Sequence, residues 1–253
     1  MTSHLLALLF SLIAVILPPR YDCTDIIGGH VVHPHSWPFM ASIQTRNSIV
    51  CGGAFVEKQW QLQLTAAHCT VEIFTPSMCC FGHLQNKSQA FLFGIKGFFG
   101  GTGVSHSSVN GIFFSSFFQL NGIAKLNKYV QLLHLPDSCE DIKAGTTCKV
   151  AGWGLTSSRK PSKYLWKKTL KIVGRKSCES KHGNYTKITS NMLCAVGKNK
   201  FLKSDACWGD SGGPSICASQ YSGIVSFGRG CGRRDMSGVY TRLTEKYIDW
   251  IKK

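Results

Sequence analysis

Two short motifs, far apart in the chain, place a serine and a histidine in settings that suit nucleophilic catalysis. Residues 209–214 read GDSGGP, and residues 65–69 read TAAHC. A serine hydroxyl becomes a nucleophile when a histidine accepts its proton, and that histidine needs a carboxylate to fix its tautomer. Ser211 and His68 are therefore the predicted nucleophile and base, and the fold has to bring the two motifs together.

The carboxylate that this chemistry needs is missing from the interval where it is expected. In chains that combine these two motifs, the carboxylate lies between them in the sequence. Here no Asp or Glu occurs from Ile73 to Leu135. The sequence therefore supports two opposed hypotheses, a working Ser–His site and a site that has lost catalysis.

The N-terminus and the cysteine content predict a secreted chain. Residues 5–17 (LLALLFSLIAVIL) form an apolar run too short to cross a bilayer and typical of a signal peptide, and no later stretch is long and apolar enough to span a membrane. The twelve cysteines suit an oxidising compartment. Two N-glycosylation sequons, at Asn86 and Asn184, agree with that prediction.

The charge of the chain favours polyanionic partners. There are 29 Lys and Arg against 13 Asp and Glu, a net charge of +16. The densest basic stretch is 159–176, which contains no acidic residue and is interrupted by apolar and aromatic side chains. We expect part of it to be a strand with a basic outer face, which either is simply solvated or binds proteoglycans, nucleic acid or anionic membranes.

Short apolar runs separated by Gly, Pro, Ser and Asn predict an all-β protein. Residues 39–44, 148–153 and 222–227 are examples. One helix is predicted near the C-terminus, from about Glu245 to Ile251, with Thr244 as its cap and with Tyr247, Ile248 and Ile251 on one face. Residues 91–118 stand apart because they hold eight of the fifteen Phe residues and do not alternate over any length.

Three stretches and the two catalytic motifs carry a resemblance to a known family. Residues 26–29 (IIGG), 34–44 (PHSWPFMASIQ) and 124–130 (AKLNKYV), read with both motifs, resemble the chymotrypsin-like serine proteases and, more closely, the granzyme A and granzyme K group. This resemblance covers most of the chain after residue 25. It implies an all-β fold of two six-stranded antiparallel Greek-key barrels with a C-terminal helix.

The resemblance also implies how the chain is divided and processed. Residues 1–23 would be a signal peptide, 24–25 an activation dipeptide and 26–253 the peptidase domain. Within that domain the N-terminal barrel would span about 26–128, the C-terminal barrel about 129–242 and the helix about 244–252. With its activation dipeptide in place the chain would be a zymogen. It would be secreted or stored in secretory or cytotoxic granules.

By the same resemblance, the residues around Ser211 have separate tasks. Ser211 would attack the substrate carbonyl, with His68 as general base and then general acid. The N–H groups of Gly209 and Ser211 would form the oxyanion hole. After processing, the new α-amino group of Ile26 would pair with Asp210 and so organise that hole.

A second group of residues would bind the substrate. Asp205 would form the floor of the primary specificity pocket and select Lys or Arg by charge complementarity. Gly228 and Gly238 would leave room for the long side chain, and Ser226, Phe227 and Gly228 would pair with the substrate backbone. Trp208 would lie at the pocket rim. The substrates would be proteins or peptides, and the resemblance implies no cofactor, no metal and no specific nucleic acid.

The cysteine spacing agrees with four disulfides of that family, namely Cys51–Cys69, Cys148–Cys217, Cys178–Cys194 and Cys207–Cys231. Cys23 would leave with the signal peptide, so Cys79, Cys80 and Cys139 remain. We therefore expect one unpaired or intermolecular thiol, and resemblance to granzyme A adds a disulfide-linked dimer as an alternative. Metal binding suits the adjacent pair Cys79–Cys80 poorly.

The chain departs from the family where the triad carboxylate should be. Counting back from Ala124 puts Phe114 at that position, and the stretch from Gly100 to Gly122 has lost the family pattern. The first hypothesis is a secreted, granzyme-like endopeptidase with trypsin-like specificity, weakly active or inactive as this chain stands. The alternative is a cationic pseudoprotease that binds proteoglycans or microbial surfaces.

Overall fold

The structure is a computed structural model of the chain, and its thirteen described strands all pair in the antiparallel sense. For residues 62–63, 77–81, 91–100 and 115–119 the backbone alone is described. The structure describes residues 29–45, 48–57, 62–66, 69, 77–81, 91–100, 115–120, 123–155, 162–183, 186–198, 209–228 and 236–252.

Six strands close into a first barrel. Neighbouring strands follow the order β2-β3-β4-β7-β6-β5, and β5 pairs again with β2. Because β4 pairs with β7 rather than with the next strand in sequence, the connection is of the Greek-key type. The strands are β2 (Met40–Thr45), β3 (Ser48–Glu57), β4 (Leu62–Ala66), β5 (Ser77–Phe81), β6 (Phe91–Gly100) and β7 (Ser115–Leu120).

The phenylalanine-rich stretch supplies two strands of this barrel. Phe99 of β6 pairs with Phe117 of β7, and β7 also pairs with β4, where Ala66 lies opposite Ser115. Because apolar and polar residues do not alternate in this stretch, no strand was predicted here. The structure shows both the strands and their pairing. The connection between the two strands lies outside the described residues.

A second set of six strands also closes on itself. Successive pairings join β8-β9-β10-β13-β12-β11, and β11 returns to β8. The strands are β8 (Thr147–Gly152), β9 (Trp166–Val173), β10 (Met192–Gly197), β11 (Pro214–Cys217), β12 (Gln220–Phe227) and β13 (Gly238–Arg242). The predicted fold class is therefore confirmed.

The short strand β1 (His30–Val31) joins the second barrel rather than the first. His30 pairs with Lys167 of β9, and Val31 pairs with Trp166. Residue 30 nevertheless falls in the range expected for the N-terminal barrel. The chain therefore pairs with the second barrel at β1 and then forms the first barrel from β2 onward.

Two helices are described. Helix α1 (Arg175–His182) follows β9, and helix α2 (Glu245–Ile251) follows β13 with the bounds that the sequence predicted. Ile248 and Ile251 are buried, as expected. Thr244 is the N-cap residue, but its side chain makes no capping hydrogen bond, and its carbonyl instead accepts from the N–H groups of Tyr247 and Ile248.

The two barrels share a hydrophobic core cluster. Ile43 and Leu64 of the first barrel pack in one cluster with Tyr221 and Ile224 of β12 and with Ile248 of α2. Burying large apolar side chains in this way contributes roughly 1.5–3 kcal/mol for each. The shared cluster fixes the first barrel against the second, so elements of both can position one site.

Three of the four implied disulfides lie within the described residues. They join Cys51 to Cys69, Cys148 to Cys217 and Cys178 to Cys194. The fourth, Cys207–Cys231, lies outside them, as do the side chains of Cys79 and Cys80. Among the described residues Cys139 is a free thiol, and burial raises its pKa.

The strand expected within residues 159–176 is β9, and its outer face is basic, but one lysine of the run lies on the inner face. In β9 the side chains of Lys168, Leu170 and Ile172 are buried, whereas Lys171 is exposed and Lys167 is half-buried. Because successive side chains of a strand point to opposite faces, Lys168 shares the inward face with the two apolar residues. Lys167 and Lys171 form the outward basic row.

Candidate active site at the barrel junction

Ser211 lies in a tight turn that both barrels hold. The N–H of Gly213 donates to the carbonyl of Asp210 at 3.0 Å, which closes the turn. From the first barrel, Gly52 of β3 donates its N–H to the carbonyl of Ser211 at 2.8 Å. From the second barrel, the carbonyl of Val225 accepts a hydrogen bond from the N–H of Gly212 at 2.7 Å. The half-buried serine therefore has a fixed backbone at the junction of the barrels.

The glycine after Ser211 is required by space and by conformation. Gly212 has φ +87°, a left-handed value that side chains with a Cβ rarely adopt. A Cβ here would collide with the Thr65 hydroxyl and with the carbonyl of Gly52. Thr65 itself donates to that carbonyl at 2.7 Å. The serine turn consequently packs directly on the strand that leads to the histidine motif.

The residues on both sides of His68 lie beside the serine turn. A Cβ on Gly212 would lie 3.0 Å from the backbone N of Ala66, and Sγ of Cys69 is 3.7 Å from the carbonyl oxygen of Ser211. The Cys51–Cys69 disulfide fixes the second of these residues to β3. The two sequence motifs are therefore brought together, although His68 lies outside the described residues.

Asp210 is a buried carboxylate in a cradle made by glycines. Its side chain is 2 % exposed, and Oδ1 accepts a hydrogen bond from the Gly154 N–H at 2.8 Å. A Cβ on Gly154 would lie 2.6 Å from Cγ of Asp210, and a Cβ on Gly152 would collide with Oδ1. Only glycine at both positions leaves room for the carboxylate. This cradle was not predicted from the sequence, although the Gly-Trp-Gly spacing of residues 152–154, at the end of β8, was an available signal.

The backbone before Ser211 presents two N–H groups. Gly209 has φ +93°, and no described residue accepts a hydrogen bond from the N–H of Gly209 or of Ser211. Peptide N–H groups on a fixed turn are the donors that stabilise a developing oxyanion. The serine turn therefore contains two N–H donors of the kind that form an oxyanion hole.

The strand ends expected to bind substrate lie next to each other in the second barrel. Ser226 is buried near the end of β12, Phe227 pairs with Val239 of β13, and the antiparallel register carries Gly228 to a position opposite Gly238. A bulge between Val225 and Phe227 bends this strand. Four predicted substrate-binding residues are therefore neighbours at one end of the barrel.

Other predicted site residues lie outside the described residues. They are Ile26, His68, Phe114, Asp205 and Trp208.

Comparisons with known proteins agree with this architecture. The family model described as Trypsin matches residues 26–251. The chain is 34% identical to bovine granzyme A (Bos taurus) over 241 residues, covering 92% of this chain and 88% of the relative. It is 34% identical to pig trypsin (Sus scrofa) over 243 residues, covering 93% and 97%. The chain therefore belongs to the trypsin family of serine proteases.

A solved structure shares the fold. Neuropsin, a serine protease expressed in the limbic system of mouse brain, superposes with a TM-score of 0.78 at 28% identity, covering 90% of this chain and 98% of neuropsin. Within the described part of the chain, no helix is long and apolar enough to cross a bilayer. The same residues contain no cluster of three or more His, Cys, Asp or Glu that would hold a metal ion.

Proposed function

We propose that this chain is a granzyme-like serine endopeptidase that cleaves after Lys or Arg and, as it stands, turns over slowly. The observation that carries the proposal is the Ser211 turn, held by hydrogen bonds from Gly52 of one barrel and to Val225 of the other. A nucleophile needs this kind of fixed position, because small misplacements at a reacting centre cost large factors in rate. The Asp205 carboxylate supplies the specificity for a basic side chain.

In the proposed reaction Ser211 attacks the substrate carbonyl while His68 accepts the serine proton. The N–H groups of Gly209 and Ser211 donate to the oxyanion of the tetrahedral intermediate. His68 then protonates the leaving amine, and water completes the hydrolysis of the acyl-enzyme. The buried Asp210 carboxylate keeps the turn in shape by pairing with the α-amino group of Ile26 after processing, since a buried charge is stable only when it is paired.

The slow turnover follows from the residue before β7. Ser115, the first residue of that strand, lies opposite Ala66, and the residue before it in sequence is Phe114. This is where the triad carboxylate would orient the His68 imidazole. Phe accepts no hydrogen bond, so nothing at this position favours the productive tautomer or stabilises the imidazolium.

Labelling with a fluorophosphonate probe tests the proposed function. We expect mature protein beginning at Ile26 to be labelled slowly and only at Ser211, because the oxyanion donors and the serine remain in place. Mass spectrometry of the labelled peptide identifies the site, and Ser211→Ala is the matched control. A correctly processed protein that is never labelled at Ser211 would instead favour the pseudoprotease.

That alternative is supported by the outward basic row of the second barrel. Lys149 of β8 is exposed and pairs with Thr169, which lies between Lys167 and Lys171 on β9. Diagonal neighbours of this kind are about 7–8 Å apart, so three ammonium groups share one face. The charge of this face fits a sulfated polysaccharide such as the chain of a proteoglycan.

We expect the triple variant Lys149→Gln, Lys167→Gln, Lys171→Gln to elute from a heparin column at clearly lower salt than the unmodified protein, since fewer counterions are released on binding. The control replaces three lysines that are exposed elsewhere, Lys125, Lys187 and Lys246, with Gln. Equal shifts for both triples would mean that net charge alone governs retention and that this face is not a binding surface.

The proposed location is the secretory pathway, with release or storage in granules. Proteins of the trypsin family are typically secreted or stored in granules. The three disulfides support this proposal, because disulfides persist in oxidising compartments. The signal peptide of residues 1–23 and a disulfide-linked dimer remain predictions.

A further inference from the structure

We propose that a face built around the loop 123–130 docks on the surface of an anionic phospholipid bilayer. This role is independent of the reaction proposed above, which gives the loop no task. Ile123 and Leu126 are large aliphatic side chains, and they are 70 % and 40 % exposed. Lys125 and Lys128 of the same loop are also exposed. Aliphatic side chains flanked by lysines suit the boundary between lipid headgroups and acyl chains.

The backbone of this loop is held in one shape. The N–H of Asn127 donates to the carbonyl of Val130 at 3.0 Å, and Oδ1 of Asn127 accepts from the N–H groups of Tyr129 and Val130 at 2.7 and 3.1 Å. Ala124 and Val130 are buried in one hydrophobic cluster of the first barrel. Because the loop is anchored at both positions, its exposed side chains are presented outward at little cost in ordering.

The other large apolar side chains that the described residues expose lie close to this loop. Val31 is 40 % exposed, and Tyr164 is 43 % exposed. The residues that follow them, Val32 and Leu165, line the same small depression as Tyr129 of the loop. The N–H of Val32 also donates to the carbonyl of Leu165 at 2.8 Å. The exposed apolar surface is therefore gathered in one region, and such a patch marks an interaction site.

The charge around this patch is positive and uncompensated. No Asp or Glu occurs in the three segments that build it, which are residues 29–56, 123–136 and 142–178. Nζ of Lys128 lies 4.9 Å from the centroid of the Tyr129 ring, and Lys163 is exposed directly before Tyr164. Ammonium groups therefore stand beside the apolar side chains, and their charge is complementary to anionic headgroups.

A bilayer surface accounts for both the charged and the apolar part of this face. A soluble polyanion would contact the ammonium groups but would leave Ile123 and Leu126 in water. Lipid headgroups attract the lysines, while the acyl boundary takes up the aliphatic side chains. The half-buried rings of Trp37 and Tyr129 also line the depression, and amphipathic rings of this kind are enriched at membrane interfaces.

Sedimentation of the mature protein with vesicles tests the apolar part first. The vesicles contain phosphatidylcholine and phosphatidylserine at a ratio of about two to one, and pure phosphatidylcholine is the reference. We expect the double variant Ile123→Ser, Leu126→Ser to bind the mixed vesicles about tenfold more weakly or worse, since the apolar contact is lost while the charge is kept. Its elution from a heparin column should not change. Exposed substitutions rarely alter stability, and thermal unfolding checks this.

A second pair of variants tests the charged part. We expect Lys125→Gln, Lys128→Gln to bind the mixed vesicles about tenfold more weakly or worse, because both ammonium groups lie at the lipid surface. The matched control is Lys187→Gln, Lys246→Gln, which removes the same charge from two exposed positions outside this face. Screening over a Debye length should limit its loss to less than about threefold.

Several results would overturn the inference. They are absence of binding of the unmodified protein to the mixed vesicles, wild-type binding by the serine pair, and equal losses in the two glutamine pairs. Elution of the serine pair from heparin at lower salt would assign the face to a soluble polyanion instead. Dimers in gel filtration that the serine pair abolishes would assign it to a second copy of this chain. Ester hydrolysis is not measured, so each result is independent of the proposed function.

Discussion

A version of this chain with a carboxylate restored beside His68 is expected to hydrolyse Lys and Arg esters about 10⁴-fold faster than the unmodified chain. That factor is the loss in kcat when the triad Asp of a serine protease is replaced by Asn, and it corresponds to about 5 kcal/mol of transition-state stabilisation. Phe114 should be at least as damaging as Asn, because its ring accepts no hydrogen bond and must fit beside the imidazole.

Two variants separate the missing group from its surroundings. Phe114→Asp restores the carboxylate alone, and a graft of the granzyme-like Asp segment over residues 100–122 restores the whole stretch. Activity is measured as kcat/KM on a Lys or Arg ester after processing to Ile26, with Ser211→Ala in the grafted chain as the blank. Full activity in the unmodified chain would contradict the prediction and require a carboxylate that reaches His68 from another part of the chain.

The fold was predictable because its motifs are local and because Gly, Pro, Ser and Asn separate its strands. The Gly-Asp-Ser-Gly-Gly-Pro turn contains the glycines that a left-handed backbone needs at 209 and 212, and both have positive φ. Helix α2 was predictable for the same reason, since three apolar residues at helical spacing mark one buried face. Such signals depend only on neighbours in sequence.

What the sequence did not predict depends on partners distant in the chain. Lys168 reads as part of a basic run, yet strand alternation places it on the inward face with Leu170. The strands β6 and β7 lack clear alternation and are defined by pairing with each other and with β4. The contact of His182 with Ser237 joins two segments that no motif links. Tertiary packing outweighs local propensity in these cases.

The largest structural effect is expected from Gly154→Ala. The added Cβ would lie 2.6–2.7 Å from all three terminal atoms of the Asp210 carboxylate, closer than real Cβ contacts come. Asp210 has little freedom to move aside, because its carbonyl accepts from Gly213 in the serine turn. Displacing it strains that turn and breaks the hydrogen bond from the Gly154 N–H. Overpacking and a disturbed buried carboxylate together cost about 3 kcal/mol or more.

A domain of this size loses roughly 2–4 °C in Tm for each kcal/mol, so Gly154→Ala should unfold about 6–12 °C lower than the parent. Labelling of Ser211 in the grafted chain should fall at least tenfold with it, because the displaced carboxylate and the nucleophile belong to one turn. Gly174→Ala is the matched control: Gly174 has φ −63° and ψ 142°, and nothing lies within 4 Å of the new Cβ. That variant should stay within about 1 kcal/mol of the parent and keep its labelling rate. Equal behaviour of the two variants would show that the glycine cradle is not what holds Asp210, and that the serine turn owes its shape to other contacts.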